Sequence, residues 1–121
     1  MKHAVLFVDD DPLVLRALER ALHRDRARDY VFACGAQQAL AELERTPFDA
    51  VVTDVRMPGT DGVSLLWSVR EHYPAARRIV LSGQVDHEAY ERVRDVAHAV
   101  LAKPCAVNDV RAALDRELGA A

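Results

Sequence analysis

The sequence has little cysteine: two thiols, Cys34 and Cys105, in 121 residues. Two cysteines so far apart do not make a disulfide framework, and they are too few for a zinc cluster. The five histidines, His3, His23, His72, His87 and His98, do not fall at ligand spacing either, and most read as surface residues. Long apolar runs are missing. None approaches the roughly 18 residues that a membrane span requires. The N-terminus, Met1-Lys2-His3-Ala4-Val5, passes directly into a strand-like segment without the cleavage region of a signal peptide. A cytoplasmic domain with no membrane association is expected. Excess positive charge is also absent: 16 basic against 19 acidic residues give a net charge of -3, which argues against nucleic acid as a direct partner. The local exception is the basic run Arg20, Arg24, Arg26, Arg28, which reads as a solvated helix end where cations suit the dipole. There is no internal repeat, low-complexity segment or linker.

Half of the residues are hydrophobic, ample for one core in a 13.4 kDa chain, so residues 1–121 are expected to form a single domain. Residues 4–8 are continuously apolar and read as a buried strand. Asp11-Pro12 then supplies an N-cap acceptor and a first-turn proline for a helix over about 12–25. Tyr30 to Cys34 reads as a shorter edge strand, broken by Gly35, and Ala36 to Arg45 as a helix closed by Pro47. A third strand precedes Asp54, and a helix runs from Gly62 to about His72, ended by Pro74. Arg78 to Leu81 is a fourth strand. Residues 86–97 form a helix with a thin apolar face, Ala99 to Ala102 a fifth strand, and residues 107–118 a last helix. Fivefold βα alternation argues for a parallel sheet covered by helices on both faces, with right-handed crossovers.

Residues 48–62 organise the rest. The β-branched run Ala50-Val51-Val52 reads as a strand buried on both faces. It stops at one carboxylate, Asp54, and turn chemistry follows at once in Pro58-Gly59 and Asp61-Gly62. Ligands of open parallel sheets bind at the carboxyl ends of the strands. From this stretch alone, Asp54 fits equally as a binding residue and as a plain strand terminator. The other strand ends add weight. The first offers Asp9, Asp10 and Asp11, the fourth Ser82, the fifth Lys103. Hard oxygen ligands suit Mg²⁺, which takes one or two carboxylates together with phosphate oxygens. A carboxylate can attack phosphorus to form an acyl phosphate, and the charge that develops calls for a cation such as Lys103. Each piece alone has a plain structural use. An acidic pair caps helices, a strand-end serine bonds backbone, and a lysine before proline lies on the surface. The combination in this order is far less expected by chance.

With Val8-Asp9-Asp10-Asp11-Pro12, Asp54-Val55-Arg56-Met57-Pro58-Gly59-Thr60-Asp61-Gly62, Leu81-Ser82-Gly83 and Ala102-Lys103-Pro104, the chain resembles the receiver domains of two-component response regulators. The resemblance spans nearly the whole chain. It implies a CheY-like, flavodoxin-like (βα)5 sandwich whose sheet runs in the order 2-1-3-4-5. It makes Asp54 the phosphoacceptor, with Ser82 as the switch hydroxyl and Lys103 as the contact to the phosphoryl group. It makes Asp9, Asp10 and Asp54 the Mg²⁺ carboxylates, with Arg56 lending its backbone carbonyl. Asp11 falls where the family carries a variable acid and is left out of that set. The implied partner is a sensor histidine kinase or a phosphotransfer protein. The implied role is a phosphorelay switch, a receiver that gains and loses its own phosphoryl group rather than a turnover enzyme. The surface it alters is that of the 86–97 helix, the fifth strand and the last helix.

The sequence departs from the family pattern in two places. Val100 occupies the position three before the lysine, where a switch aromatic is usual, and Cys105 follows Lys103-Pro104 where many receivers carry Phe or Trp. The segment Val96 to Cys105 is similar to receivers that precede an HDOD output domain, and others with Leu-Ser-Gly precede HD-type phosphodiesterases. An output domain of this kind C-terminal to Ala121 is therefore one expectation. Pairing into a homodimer through the last two helices, as in family members, is another. Two alternatives from other classes are a small magnesium-dependent aspartyl phosphatase and a phosphorylation-independent docking module. The first wants a second acid two residues past the nucleophile, and position 56 is arginine. The second is disfavoured by the intact acids, Ser82 and Lys103. Sheet order also bears on the cysteines. Four strand spacings of about 4.8 Å would hold Cys34 and Cys105 roughly 19 Å apart, too far to link.

Overall fold

The computed structural model describes residues 2–55, 62–83, 91–103 and 105–119. In chain order these form β1 (His3–Asp9), α1 (Pro12–Leu22), β2 (Arg28–Cys34), α2 (Ala36–Arg45), β3 (Ala50–Asp54) and α3 (Gly62–His72). There follow β4 (Arg77–Gly83), helical residues 91–93 (α4), β5 (Ala99–Lys103) and α5 (Val107–Leu118). The five strands are all parallel and run in the order β2-β1-β3-β4-β5, the flavodoxin-like arrangement. Among the described residues, no helix is long and apolar enough to cross a membrane.

The period of two along the central strands explains why both faces are covered. Val5 and Phe7 of β1 share one apolar cluster with Ala50 and Val52 of β3, packed under Leu15 and Leu22 of α1 and Val110, Ala113 and Leu114 of α5. The alternate residues Leu6, Val8 and Val51 face Ala39 and Leu43 of α2 and Leu65 and Val69 of α3. A third cluster joins Val55, Val63, Leu66 and Val80 to Val93 and Val96, with Val100 packed against it. Central strands buried twice over must be continuously apolar, which is how β1 and β3 read in the sequence.

Local chemistry sets the boundaries. Asp11 caps α1, its carboxylate accepting the Leu13 N–H at 2.9 Å, and Pro12 occupies the first turn. Such a cap stabilises a helix by about 1 kcal/mol. α1 ends at Leu22 rather than near 25, because Asp25 turns away to accept the Tyr30 hydroxyl at 2.7 Å and the Ala27 N–H at 2.9 Å. The expected 86–97 helix is helical at 91–93 but already in a turn at 94–96, where the Val96 and Ala97 amides close back onto Val93. Its residues 86–90 lie outside the described residues.

One expectation about a side chain is corrected. Arg28 is not part of a solvated helix end. It begins β2, is buried, and donates to Asp115 Oδ1 at 2.6 Å and to the Gly119 carbonyl at 3.2 Å. His98 is half-buried against Arg78 at the foot of β4. Cys34 and Cys105 are both free thiols. The first ends edge strand β2, and the second follows β5 at the opposite edge.

Candidate phosphoacceptor site

β1 ends at Asp9, β3 at Asp54, β4 at Gly83 and β5 at Lys103, so the parallel sheet sets these residues along one edge. Strand order reverses at β1, which has β2 on one side and β3 on the other. The crevice at such a switch point is where an open α/β sheet receives its ligand. Asp9, Asp10 and Asp54 meet there, each with a carboxylate oxygen within 4.8 Å of the other two.

Asp9 is buried, and its Oδ1 accepts the Asp11 N–H at 2.9 Å. Burial raises its pKa above the ordinary aspartate value, the Asp11 amide works in the opposite direction, and the Asp54 charge raises it again. The backbone carbonyls of the acidic pair are held from β2. The Gly35 N–H donates to the Asp9 carbonyl at 2.9 Å, and the Cys34 thiol approaches the Asp10 carbonyl at 3.5 Å. Gly35 makes that turn with a positive φ of 88°, open to glycine at little cost. Asp10 itself is exposed.

Lys103 reaches across from β5, its Nζ 2.6 Å from Asp54 Oδ2. Burial works against the lysine charge, but the hydrogen bond and the attraction of Asp54, helped by Asp9, outweigh it and raise the Lys103 pKa. Ser82 is buried one residue past Leu81, the partner of Asp54 in the β3–β4 ladder, and pairs with Ala102 beside Lys103. Val100 lies on β5, three residues back from this edge, in register with Val80. Arg56 lies outside the described residues, and so does most of the loop after β3.

Two contributors show their part only in three dimensions. Gly62, read from sequence as a turn residue, opens α3 directly against the Asp54 backbone. A Cβ there would collide with the Asp54 carbonyl oxygen, and the Gly62 N–H donates to the Val55 carbonyl at 2.9 Å. Thr53 precedes the acid, is fully buried, and donates its hydroxyl to the Asp54 carbonyl at 3.0 Å. The signal in the sequence was a hydroxyl inside an otherwise aliphatic strand.

Three converging carboxylates with one lysine form an acidic, oxygen-rich pocket, a donor set that fits a hard divalent cation such as Mg²⁺. Fold and site together define a doubly wound α/β domain with an acidic site at its switch point. The response regulator receiver domain family model matches residues 5–115, and the chain belongs to that family. Among curated relatives, it is 42% identical over 84 residues to the hydrogenase transcriptional regulatory protein HoxA of Cupriavidus necator, covering 69% of this chain and 17% of HoxA. It is 37% identical over 117 residues to the response regulator protein FleR of Pseudomonas aeruginosa, covering 95% of this chain and 24% of FleR. A solved signal receiver domain of an HD domain-containing protein from Pseudomonas fluorescens superposes with a TM-score of 0.90 at 28% identity, covering 98% of this chain and 95% of that one. The chain thus spans under a quarter of the length of either curated relative.

Proposed function

We propose that this receiver is a phosphoacceptor switch in which Asp54 takes a phosphoryl group from the phosphohistidine of a sensor histidine kinase or phosphotransfer protein. The observation that carries the reading is the meeting of Asp9, Asp10 and Asp54 beside a lysine already paired to Asp54. An Asp54 oxygen attacks phosphorus and an acyl phosphate forms. The P–N bond of the donor breaks, and its electron pair returns to the imidazole. Lys103 stands as a fixed cation for the charge on the phosphoryl oxygens. Ser82 offers a hydroxyl donor at the neighbouring strand end.

Three carboxylates against one lysine repel an incoming phosphate. Asp9, Asp10 and Asp54, with the backbone carbonyl of Arg56, would hold Mg²⁺, which when bound supplies the missing positive charge. A charged acceptor then makes a stronger hydrogen bond to Ser82 than a neutral one. The rearrangement passes from the strand-four end to the surface of the 86–97 segment, β5 and α5, a population shift rather than turnover. Likeness to the receiver of an HD domain-containing protein supports an output of HD type over the HDOD alternative, while HoxA is a transcriptional regulatory protein. Pairing of two receivers through the same surface completes the reading.

The test is exposure of the protein and of Asp54→Asn to acetyl phosphate with Mg²⁺, followed by intact-mass spectrometry. The native protein should gain one phosphoryl group, and the folded variant none. A full adduct on Asp54→Asn would remove Asp54 from the role.

A further inference from the structure

Thr53 is the one uncharged polar side chain in β3, between the aliphatic run Ala50-Val51-Val52 and the terminal acid, and it is fully buried. A buried hydroxyl must find a partner. It finds the backbone carbonyl of Asp54 at 3.0 Å. Pairing of β1 with β3 ends at Val8↔Thr53, one residue before Asp54, so the acid stands beyond that ladder. On the other side, the Val55 N–H still reaches the Leu81 carbonyl at 3.2 Å. The same Asp54 carbonyl is where a Cβ at Gly62 would collide. The peptide following the acid is therefore held by a side-chain hydroxyl, by closely packed Gly62 and by the β4 ladder. Valine matches threonine in shape, suits a strand as well, and needs no partner. What the hydroxyl adds is a directional bond to the peptide from which the site carboxylate projects.

We propose that Thr53 is a positioning residue for phosphoryl transfer. Its hydroxyl fixes the Asp54 peptide plane, and so holds the carboxylate beside Lys103 and in line with the incoming phosphorus. The inference rests on the phosphoacceptor reading of Asp54. The Thr53 hydroxyl bonds a backbone carbonyl and stands outside the carboxylate cluster, so the role is separable from binding.

The experiment measures adduct formation from acetyl phosphate across donor concentrations at saturating Mg²⁺, by intact mass, with urea unfolding midpoints alongside. In the reaction an Asp54 oxygen bonds phosphorus, the bond from phosphorus to the acetyl oxygen breaks, and acetate leaves with the electron pair. Displacing a reacting group by a fraction of an ångström should cost roughly tenfold in the maximal rate of Thr53→Val, with the half-saturating donor concentration unchanged. Thr53→Ser, which keeps the hydroxyl, should recover the rate although it is less stable. Thr53→Ala serves as a second hydroxyl-free variant should the valine protein not fold. A folded hydroxyl-free variant at the native rate overturns the inference, and so does a serine variant as slow as valine. A native protein that forms no adduct overturns the Asp54 reading and this inference with it.

Discussion

At the residue scale, charge balance decides how the site works. Asp9, Asp10 and Asp54 crowd within 4.8 Å, and Lys103 neutralises only one of them. The three acids have unequal surroundings. Asp9 is buried and its oxygen already accepts the Asp11 amide, whereas Asp10 is exposed. In the proposed Mg²⁺ site, removing Asp10 deletes a ligand charge, while removing the Ser82 hydroxyl deletes none. Asp10→Ala should weaken Mg²⁺ binding by more than roughly tenfold, about 1.4 kcal/mol. Ser82→Ala should bind within error of the native protein. A magnesium titration followed by NMR measures both, and equal losses would place the ion elsewhere. These residues were legible in the sequence, because strand ends rich in acid stand out against aliphatic strands. Thr53 was not singled out, since a threonine is as ordinary in a strand as valine until its hydroxyl is seen to have one acceptor. Gly62 hid in the same way: a turn glycine and a glycine required by close approach look identical in a sequence.

At the element scale, the feet of β4 and β5 are joined by polar groups rather than by packing alone. The Arg78 N–H donates to His98 Nδ1 at 2.9 Å, and the His98 N–H returns to the Arg78 carbonyl at 2.7 Å. The Arg78 guanidinium is buried and donates to the carbonyls of Val96 at 2.7 Å and Ala76 at 3.1 Å. A protonated His98 would lose its acceptor nitrogen and set a second cation beside Arg78. Burial lowers the His98 pKa below 6.5, the charges of Arg78 and Arg77 lower it further, and Glu117 opposes them. The unfolded chain therefore takes up the proton first. The stabilising contribution is complete above about pH 6.5, the ordinary histidine value, and is lost as pH falls through the lower folded pKa. His98→Asn keeps an acceptor for the Arg78 amide and cannot titrate. Its urea midpoint should fall less between pH 7 and pH 5 than that of the native protein, and parallel curves would contradict this role. At the same scale, local pattern and structure part in two places. Apolar spacing extends α1 past Leu22, yet Asp25 and Tyr30 form a side-chain bond that ends it. The basic run looked solvated because an ion pair between Arg28 and Asp115, 87 residues away in the chain, cannot be read from local pattern.

For the whole molecule, helix and strand alternation is enough to imply a parallel sheet, and β1, β2, β3 and β5 are each followed by a helix. Strand order did not follow from periodicity. β1, β3 and β4 carry apolar residues on both faces and read alike in any order, and the family pattern of acids and lysine is what implies 2-1-3-4-5, the order found. That order brings residue 9 next to residue 54 and residue 54 within reach of residue 103. The proposed function depends on which of these carboxylates becomes the acyl phosphate. The most direct measurement is reductive trapping. After acetyl phosphate and Mg²⁺, borohydride reduces an aspartyl phosphate at its carbonyl, releasing phosphate and leaving homoserine, which peptide mass spectrometry locates. The expected product carries homoserine at position 54 and unchanged aspartate at positions 9 and 10. Homoserine at 9 or 10, or none anywhere in a phosphorylated protein, would contradict Asp54 as the phosphoacceptor.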